Sequence, residues 1–118
     1  MKKIFSFLLL ALFSCKDYGN PMNLEDNTNY TYLSNIQPIF NENCIGCHYS
    51  GSDLISYESH SKVISNGSVI PESPESSSLF NRINLPDENS LNMPSGNGTL
   101  SIEEIELIEK WINDGAVE

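Results

Sequence analysis

Basic residues are scarce in this chain of 118 residues. Six Lys and Arg residues stand against sixteen Asp and Glu residues, which gives a formal net charge of −10 at pH 7. A surface of this sign argues against binding nucleic acid or anionic lipid through charge, because both need clustered cations. It favours partner proteins with basic docking faces, and it also keeps a small protein soluble.

A long apolar segment is missing as well. The nearly unbroken apolar run from Ile4 to Phe13 is shorter than the roughly 20 residues that a membrane-spanning helix needs. It follows Lys2 and Lys3 and has the length of the hydrophobic region of a signal peptide. We therefore expect residues 1–14 to be removed and the chain to be exported.

Cysteine is limited to three residues, a single one near the N-terminus and a later pair. Leu12-Phe13-Ser14-Cys15 resembles a bacterial lipobox, in which the cysteine is lipidated and begins the mature chain. We expect Cys15 to anchor the protein to a membrane, facing the periplasm or the cell exterior, with residues 15–31 as a flexible tether. The alternative is ordinary secretion, with Cys15 as a free thiol.

Cys44-Ile45-Gly46-Cys47-His48 is the most informative motif of the chain. It has the form C-x-x-C-H, which is typical of c-type haem attachment. Cys44 and Cys47 are then expected to bind the vinyl groups of one haem c, and His48 to bind its iron. The alternative is a non-haem metal or thiol lipoprotein, since the same cysteine spacing occurs in zinc sites and thiol–disulfide enzymes. That reading leaves a zinc ion one protein ligand short of four.

The spacing of apolar residues predicts an all-α domain over residues 32–118. Leu33, Ile36 and Phe40 predict a short helix that leads into the haem motif. Two further helices are predicted over residues 56–65 and 74–83.

The last helix carries the clearest signals. Ser101 with Glu104 predicts a capping box at its start, and Gly115 fits the position that follows its end. Trp111 is expected to pack inside the domain rather than to relay electrons. The predicted apolar stripe consists of Ile102, Ile105, Leu107, Ile108, Trp111 and Ile112.

Several short elements follow the haem motif in order: Pro74-Glu75, Leu79, Arg82-Ile83, Met93-Pro94, Leu100-Ser101, Trp111-Ile112 and Gly115-Ala116. This order resembles a class I c-type cytochrome domain, and most of all the subgroup often called planctomycete-type cytochrome c. The resemblance covers roughly residues 32–117. It implies a cytochrome c-like fold, with three to five short helices wrapped around one covalently attached haem, and an electron carrier rather than an enzyme.

The resemblance also implies that a methionine before the last helix is the second axial ligand, and that position falls on Met93. Met93 lies in a polar loop with no helix face to join, whereas Met22 lies in the tether. A thioether ligand raises the potential relative to two histidines. The alternatives are that Met93 only fills a gap in the core or that His60 binds the iron instead. Otherwise His60, a lone histidine in a serine-rich stretch, is expected to be a solvated surface residue.

Two more contacts are expected around the haem. In the family that the chain resembles, a proline carbonyl commonly accepts a hydrogen bond from the other ring nitrogen of the histidine ligand. Pro71 is the candidate here. Arg82 is a candidate contact for a haem propionate through its planar guanidinium, and the alternative is a surface ion pair with a neighbouring Glu.

Together these features predict an exported mono-haem cytochrome that carries single electrons between redox partner proteins at a membrane surface. If Met93 does not bind the iron, the sixth position is open. The protein would then be a haem enzyme or a gas sensor.

Overall fold

The structure, a computed structural model, describes residues 31–96 and 98–118. The predicted signal peptide over residues 1–14, Cys15 and the predicted tether up to residue 30 lie outside the described residues. Every secondary-structure element in the described ranges is helical, so the all-α prediction is confirmed at that level. The elements are a π turn (Tyr32–Ile36), α1 (Gln37–Asn43), α2 (His60–Ser65), a 3-10 turn (Pro74–Ser76), α3 (Ser78–Ile83) and α4 (Ile102–Asn113).

The π turn and α1 form one helical segment that ends at the C-x-x-C-H motif. The hydroxyl of Thr31 accepts a hydrogen bond from the Ser34 amide at 3.1 Å, so the last residue of the predicted tether caps this segment. Pro38 is the second residue of α1, directly after the π turn, and its ring can donate no amide hydrogen bond within the helical segment. Ile36 and Phe40 are fully buried, as expected. Leu33 is 65% exposed, so its predicted place on the buried face is wrong.

The prediction of a single helix over residues 74–83 is wrong, because Ser77 interrupts the helical backbone. Ser77 is fully buried and has an extended backbone between the 3-10 turn and α3. Its hydroxyl accepts from the Ile70 amide at 2.8 Å and donates to the Ser73 carbonyl at 2.9 Å. These bonds tie residue 77 to the preceding loop, and α3 begins only after it.

The ends of α4 follow the sequence closely. The Ser101 hydroxyl accepts from the Glu104 amide at 3.1 Å, and the Glu104 carboxylate accepts from the Ser101 amide at 2.8 Å. At the other end Gly115 has a φ of +97°, and its amide donates to the Ile112 carbonyl at 3.0 Å. The capping box and the glycine stop are both confirmed.

The core gathers around the buried face of α4. Ile108, Trp111 and Ile112 are fully buried, whereas Ile102 is 72% exposed, so its predicted place in the apolar stripe is wrong. The Trp111 ring packs on Tyr32 of the π turn at 5.3 Å between centroids, and its indole N–H donates to the Val117 carbonyl at 2.8 Å. Trp111 therefore joins the two ends of the described chain, as its predicted packing role requires.

Within the described ranges, no helix has the length and apolar character needed to cross a membrane.

Replacing Ser101 with alanine is expected to lower the free energy of unfolding by about 1 kcal/mol, because the hydroxyl that accepts from the Glu104 amide is lost. Urea unfolding of the same preparation measures this. Ser76→Ala is the matched control, since that side chain is exposed and caps no helix. Equal midpoints for the two variants would contradict a stabilising role for the cap.

Candidate functional site

A cavity of about 280 Å³ brings most of the predicted site residues together. Cys44, His48, Arg82 and Met93 all contribute to its wall. Cys47 does not line it and its side chain is exposed. The remaining lining residues are largely apolar and come from the end of α1, the loop after the motif, α3 and the loop before α4: Asn43, Ile55, Tyr57, Ser78, Leu79, Ile83 and Pro94.

The C-x-x-C-H motif forms a compact turn directly after α1. The Cys44 amide still donates to the Phe40 carbonyl at 2.8 Å, which continues the helical pattern. The Cys44 carbonyl then accepts from the Cys47 amide at 3.1 Å and from the His48 amide at 2.8 Å. This turn brings the imidazole of His48 to the same cavity as the thiol of Cys44.

The His48 imidazole is held in one tautomer by a backbone carbonyl. Its Nδ1–H donates to the Ile55 carbonyl at 2.9 Å. A carbonyl can only accept, so the proton is on Nδ1 and the lone pair of neutral His48 is on Nε2, the nitrogen suited to bind a metal. The acceptor is Ile55, so the expectation that Pro71 fills this position is wrong. Pro71 lies in a later turn and is exposed.

The Tyr57 side chain supports the same imidazole. Its ring lies 5.1 Å from the His48 ring and 5.4 Å from the Phe40 ring, between centroids. The Tyr57 amide donates to the His48 carbonyl at 3.1 Å. Burial raises the pKa of the Tyr57 hydroxyl, so this group stays neutral beside the cavity.

Met93 is tied to α3 through its backbone. Its amide donates to the Arg82 carbonyl at 3.2 Å, and its side chain is half-buried against the core and lines the cavity. Met93 therefore packs beside core residues as the gap-filling alternative requires, and it also shares a cavity with His48. A thioether is a soft ligand that can bind haem iron.

Arg82 is the cation of the cavity wall. Its guanidinium donates to the Leu91 carbonyl at 3.3 Å. The ion pairs found among the described residues join Lys62 to Glu58 and Lys110 to Asp114, so none of them uses Arg82. The surface ion pair considered for Arg82 is therefore not formed with any residue that the structure describes, and no Asp or Glu lines the cavity.

His60 lies away from the cavity wall. Its Nε2–H donates to the Ala116 carbonyl at 2.7 Å, and its ring packs 4.9 Å from Tyr32 and 6.1 Å from Trp111, between centroids. These contacts use the ring to join α2 to the C-terminal residues. His60 is half-buried, so the expectation of a solvated surface histidine is also wrong.

Replacing His60 with alanine is expected to destabilise the fold by about 1–3 kcal/mol, because the Ala116 carbonyl loses its donor in a partly buried place. Chemical unfolding measures this loss. The visible spectrum and the reduction potential of the matured protein are expected to stay as in the wild type. A change of the spectrum with unchanged stability would instead identify His60 as an iron ligand.

The two cysteines of the motif are free thiols in different surroundings. Burial, with a smaller effect of Glu104, raises the pKa of the Cys44 thiol to about 11. Thiol–disulfide enzymes need the opposite, a lowered pKa that supplies thiolate near neutral pH. The described ranges also contain no group of three His, Cys, Asp or Glu side chains arranged to hold a metal ion. Neither feature favours the thiol or zinc alternative.

Comparisons of the chain with protein-family models, with curated proteins and with solved structures found no match.

Two contributors to the site were not predicted from the sequence. Ile55 acts through its backbone carbonyl, which any residue could supply, so no pattern of side chains in the sequence indicates its role. Tyr57 could have been suspected as an aromatic residue close after the motif, but its packing on His48 depends on the fold of the intervening loop.

Proposed function

We propose that this protein is an exported mono-haem c-type cytochrome that carries single electrons, with the haem held by Cys44, Cys47, His48 and Met93. The observation that carries the proposal is the fixed tautomer of His48. Its Nδ1–H is bonded to the Ile55 carbonyl, so Nε2 keeps its lone pair in a cavity that Cys44 and Met93 also line. A thiol, an imidazole and a thioether around one apolar cavity form the donor set of a class I cytochrome.

The size of the cavity suits partial burial of a haem. Its volume of about 280 Å³ is just below the range for ligand sites, roughly 300–1,000 Å³. Cys47 is exposed and does not line the cavity, and it would hold the haem through a second thioether bond.

The polarity of the cavity also fits. Its wall is apolar around the iron-binding candidates and has one guanidinium, that of Arg82, without an acidic partner there. A haem presents an apolar macrocycle and two anionic propionates. Arg82 would bind a propionate through its planar donors, and it holds the Leu91 carbonyl two residues before Met93.

Each residue then has a separate task. A bound haem supplies a one-electron iron couple. Cys44 and Cys47 prevent its loss outside the cytoplasm, where haem is not recaptured. His48, which is oriented by Ile55 and Tyr57, and Met93 would both bind the iron and leave no open position for a substrate. Ligands of this kind on both sides would suit electron transfer, since neither would need to leave when the iron changes its oxidation state.

The composition of the cavity wall disfavours a haem enzyme. General acid–base chemistry needs a carboxyl or second imidazole close to the bound substrate. Among the residues that the structure describes, no Asp or Glu lines the cavity, and His48 is the one histidine in its wall. A gas sensor would require that Met93 leave the iron, a step that carbon monoxide binding detects.

The N-terminal residues and the surface charge suggest where this carrier works. Cys15 in its lipobox would anchor the mature chain to a membrane surface. Cleavage before Cys15 removes two of the six basic residues and no acidic one, so the mature domain is strongly acidic. Redox partners with basic docking faces would associate with it fastest at low salt.

A redox titration of the protein, coexpressed with a haem-maturation system, tests electron transfer. We expect one reversible one-electron couple and no reaction of the reduced protein with carbon monoxide. Rapid carbon monoxide binding by the wild-type protein would contradict the electron-carrier proposal and favour a gas sensor or a haem enzyme. A protein without visible absorbance would contradict haem binding.

A further inference from the structure

The carboxylate of Glu58 collects hydrogen-bond donors from both sides of the loop that follows the haem motif. It accepts from the Ser50 amide at 2.7 Å, from the Ser50 hydroxyl and from the Ser56 hydroxyl at 3.0 Å. The ammonium group of Lys62, on α2, lies 3.4 Å from the same oxygen. One oxygen atom, Oε2, therefore joins the start of the loop, its end and the next helix.

The loop closed by this carboxylate contains the carbonyl that orients His48. Ser50 follows His48 by two residues, and Ser56 directly follows Ile55, whose carbonyl accepts the Nδ1–H of His48 at 2.9 Å. Because Ser50 and Ser56 both bond to Glu58, residues 51–55 between them are restrained near the imidazole. The loop has no regular helix or strand of its own to hold it.

We propose that Glu58 is a positioning residue for the proximal histidine, acting through Ser50, Ser56 and the Ile55 carbonyl. The proposal rests on the proposed function in treating His48 as the iron ligand. Glu58 does not line the cavity, and its carboxylate bonds to Ser50, Ser56 and Lys62. Its effect on the iron is exerted through the hydrogen bond that the Ile55 carbonyl accepts.

The protonation state of Glu58 agrees with this role. The Ser50 hydroxyl, the Ser50 amide and the Ser56 hydroxyl lower the pKa of the carboxyl to about 2. The folded-state pKa lies below the ordinary value of 4.5, so this contribution to stability is present above pH 4.5 and is lost as the pH falls toward 2. The carboxylate is charged near neutral pH.

Loss of the Glu58 contacts has a defined consequence for His48. If the Ile55 carbonyl moves away, Nδ1–H loses its acceptor, and its proton exchanges faster with solvent. The imidazole also becomes a weaker electron donor, because a hydrogen bond at the second nitrogen raises the basicity of the ligating one. A weaker donor stabilises oxidised iron less, so the reduction potential rises.

Two variants and one control separate positioning from charge. Glu58→Ala removes the acceptor and its charge, whereas the double variant Ser50→Ala with Ser56→Ala removes two donors and keeps the charge. Glu75→Ala is the matched control, since Glu75 is an exposed glutamate that accepts from the Ser73 hydroxyl at 2.8 Å and does not line the cavity. Circular dichroism selects folded preparations, and the double variant replaces Glu58→Ala if the latter does not fold.

The first readout is exchange of the His48 Nδ1 proton, measured by NMR on the reduced, histidine-labelled matured protein. We expect exchange on the order of tenfold faster in Glu58→Ala and in the double variant, and unchanged exchange in Glu75→Ala. The reduction potential is expected to rise in the first two variants. If the proton exchanges as slowly in Glu58→Ala and in the double variant as in Glu75→Ala, the positioning role is overturned. It is also overturned if the potential rises in Glu58→Ala alone and the exchange rate is unchanged.

The proposed function fails separately from this inference. Absence of haem absorbance in the wild-type protein would overturn the cytochrome proposal. Exchange of the His48 Nδ1 proton, compared between the haem-free wild-type, Glu58→Ala and Glu75→Ala proteins, would then test the connection from Glu58 to His48, because it reads the imidazole itself.

Discussion

Replacing Cys44 and Cys47 together with serine is expected to abolish covalent haem. Cys44 lines the apolar cavity beside His48, and Cys47 is exposed in the same turn. Serine has nearly the same shape but forms no thioether, so His48 and Met93 can still approach a haem without retaining it. A haem stain after denaturing electrophoresis and the intact mass of the protein both measure the loss.

The third cysteine provides the matched control for this experiment. Cys15→Ala removes one thiol outside the motif and is expected to keep the full haem stain, although the lipid anchor is lost. Single replacement of Cys44 or Cys47 is expected to leave one thioether bond and a less stable product. Haem that survives denaturation in the double variant would contradict attachment at this motif.

Replacing Met93 with alanine is expected to open the iron and lower its reduction potential. A thioether favours reduced iron, and its removal leaves a weaker ligand or water in that position. Because axial ligands move haem potentials over a range of about 0.8 V, this change is expected to be large. The oxidised protein should lose its far-red iron–sulfur band, and the reduced protein should bind carbon monoxide.

Met22→Ala is the matched control for Met93→Ala, since Met22 is a methionine of the predicted tether. It should leave the spectrum and the potential unchanged. A Met93→Ala protein with the wild-type potential and far-red band would show that Met93 only fills the core. The contact of His60 with the Ala116 carbonyl makes that histidine a poor replacement, because the ring is already used in a different part of the fold.

The features that the sequence predicted well depend on neighbouring residues. The start of α4 is determined by Ser101 and Glu104, and its end by Gly115, so each signal is read within one helical turn. The C-x-x-C-H motif is equally local, because its five consecutive residues bring Cys44 and His48 to one cavity. Such features do not require knowledge of the tertiary structure.

The predictions that failed depend on contacts between distant residues. Ser77 breaks the helix predicted over residues 74–83 because its hydroxyl bonds to Ile70, seven residues earlier. The acceptor for His48 is a backbone carbonyl, and the choice between Pro71 and Ile55 is decided by how the loop folds back. The environment of His60 likewise depends on residues near the opposite end of the domain.

Met93 falls between these two classes. The sequence order indicated that it precedes the last helix, which is a local fact. That its amide bonds to α3 and its side chain reaches the cavity of His48 could not be read from spacing alone. The same structure that brings these residues together leaves Cys47 on the surface, and no pattern in the motif predicts that difference.

The visible absorption spectrum of the protein coexpressed with a haem-maturation system, oxidised and then reduced, tests haem binding by Cys44, Cys47, His48 and Met93 most directly. We expect a sharp α band in the reduced protein and a weak far-red iron–sulfur band in the oxidised protein. A haem spectrum without the far-red band would contradict Met93 as a ligand. No haem absorbance at all would contradict the cytochrome proposal and return Cys44, Cys47 and His48 to thiol or metal chemistry.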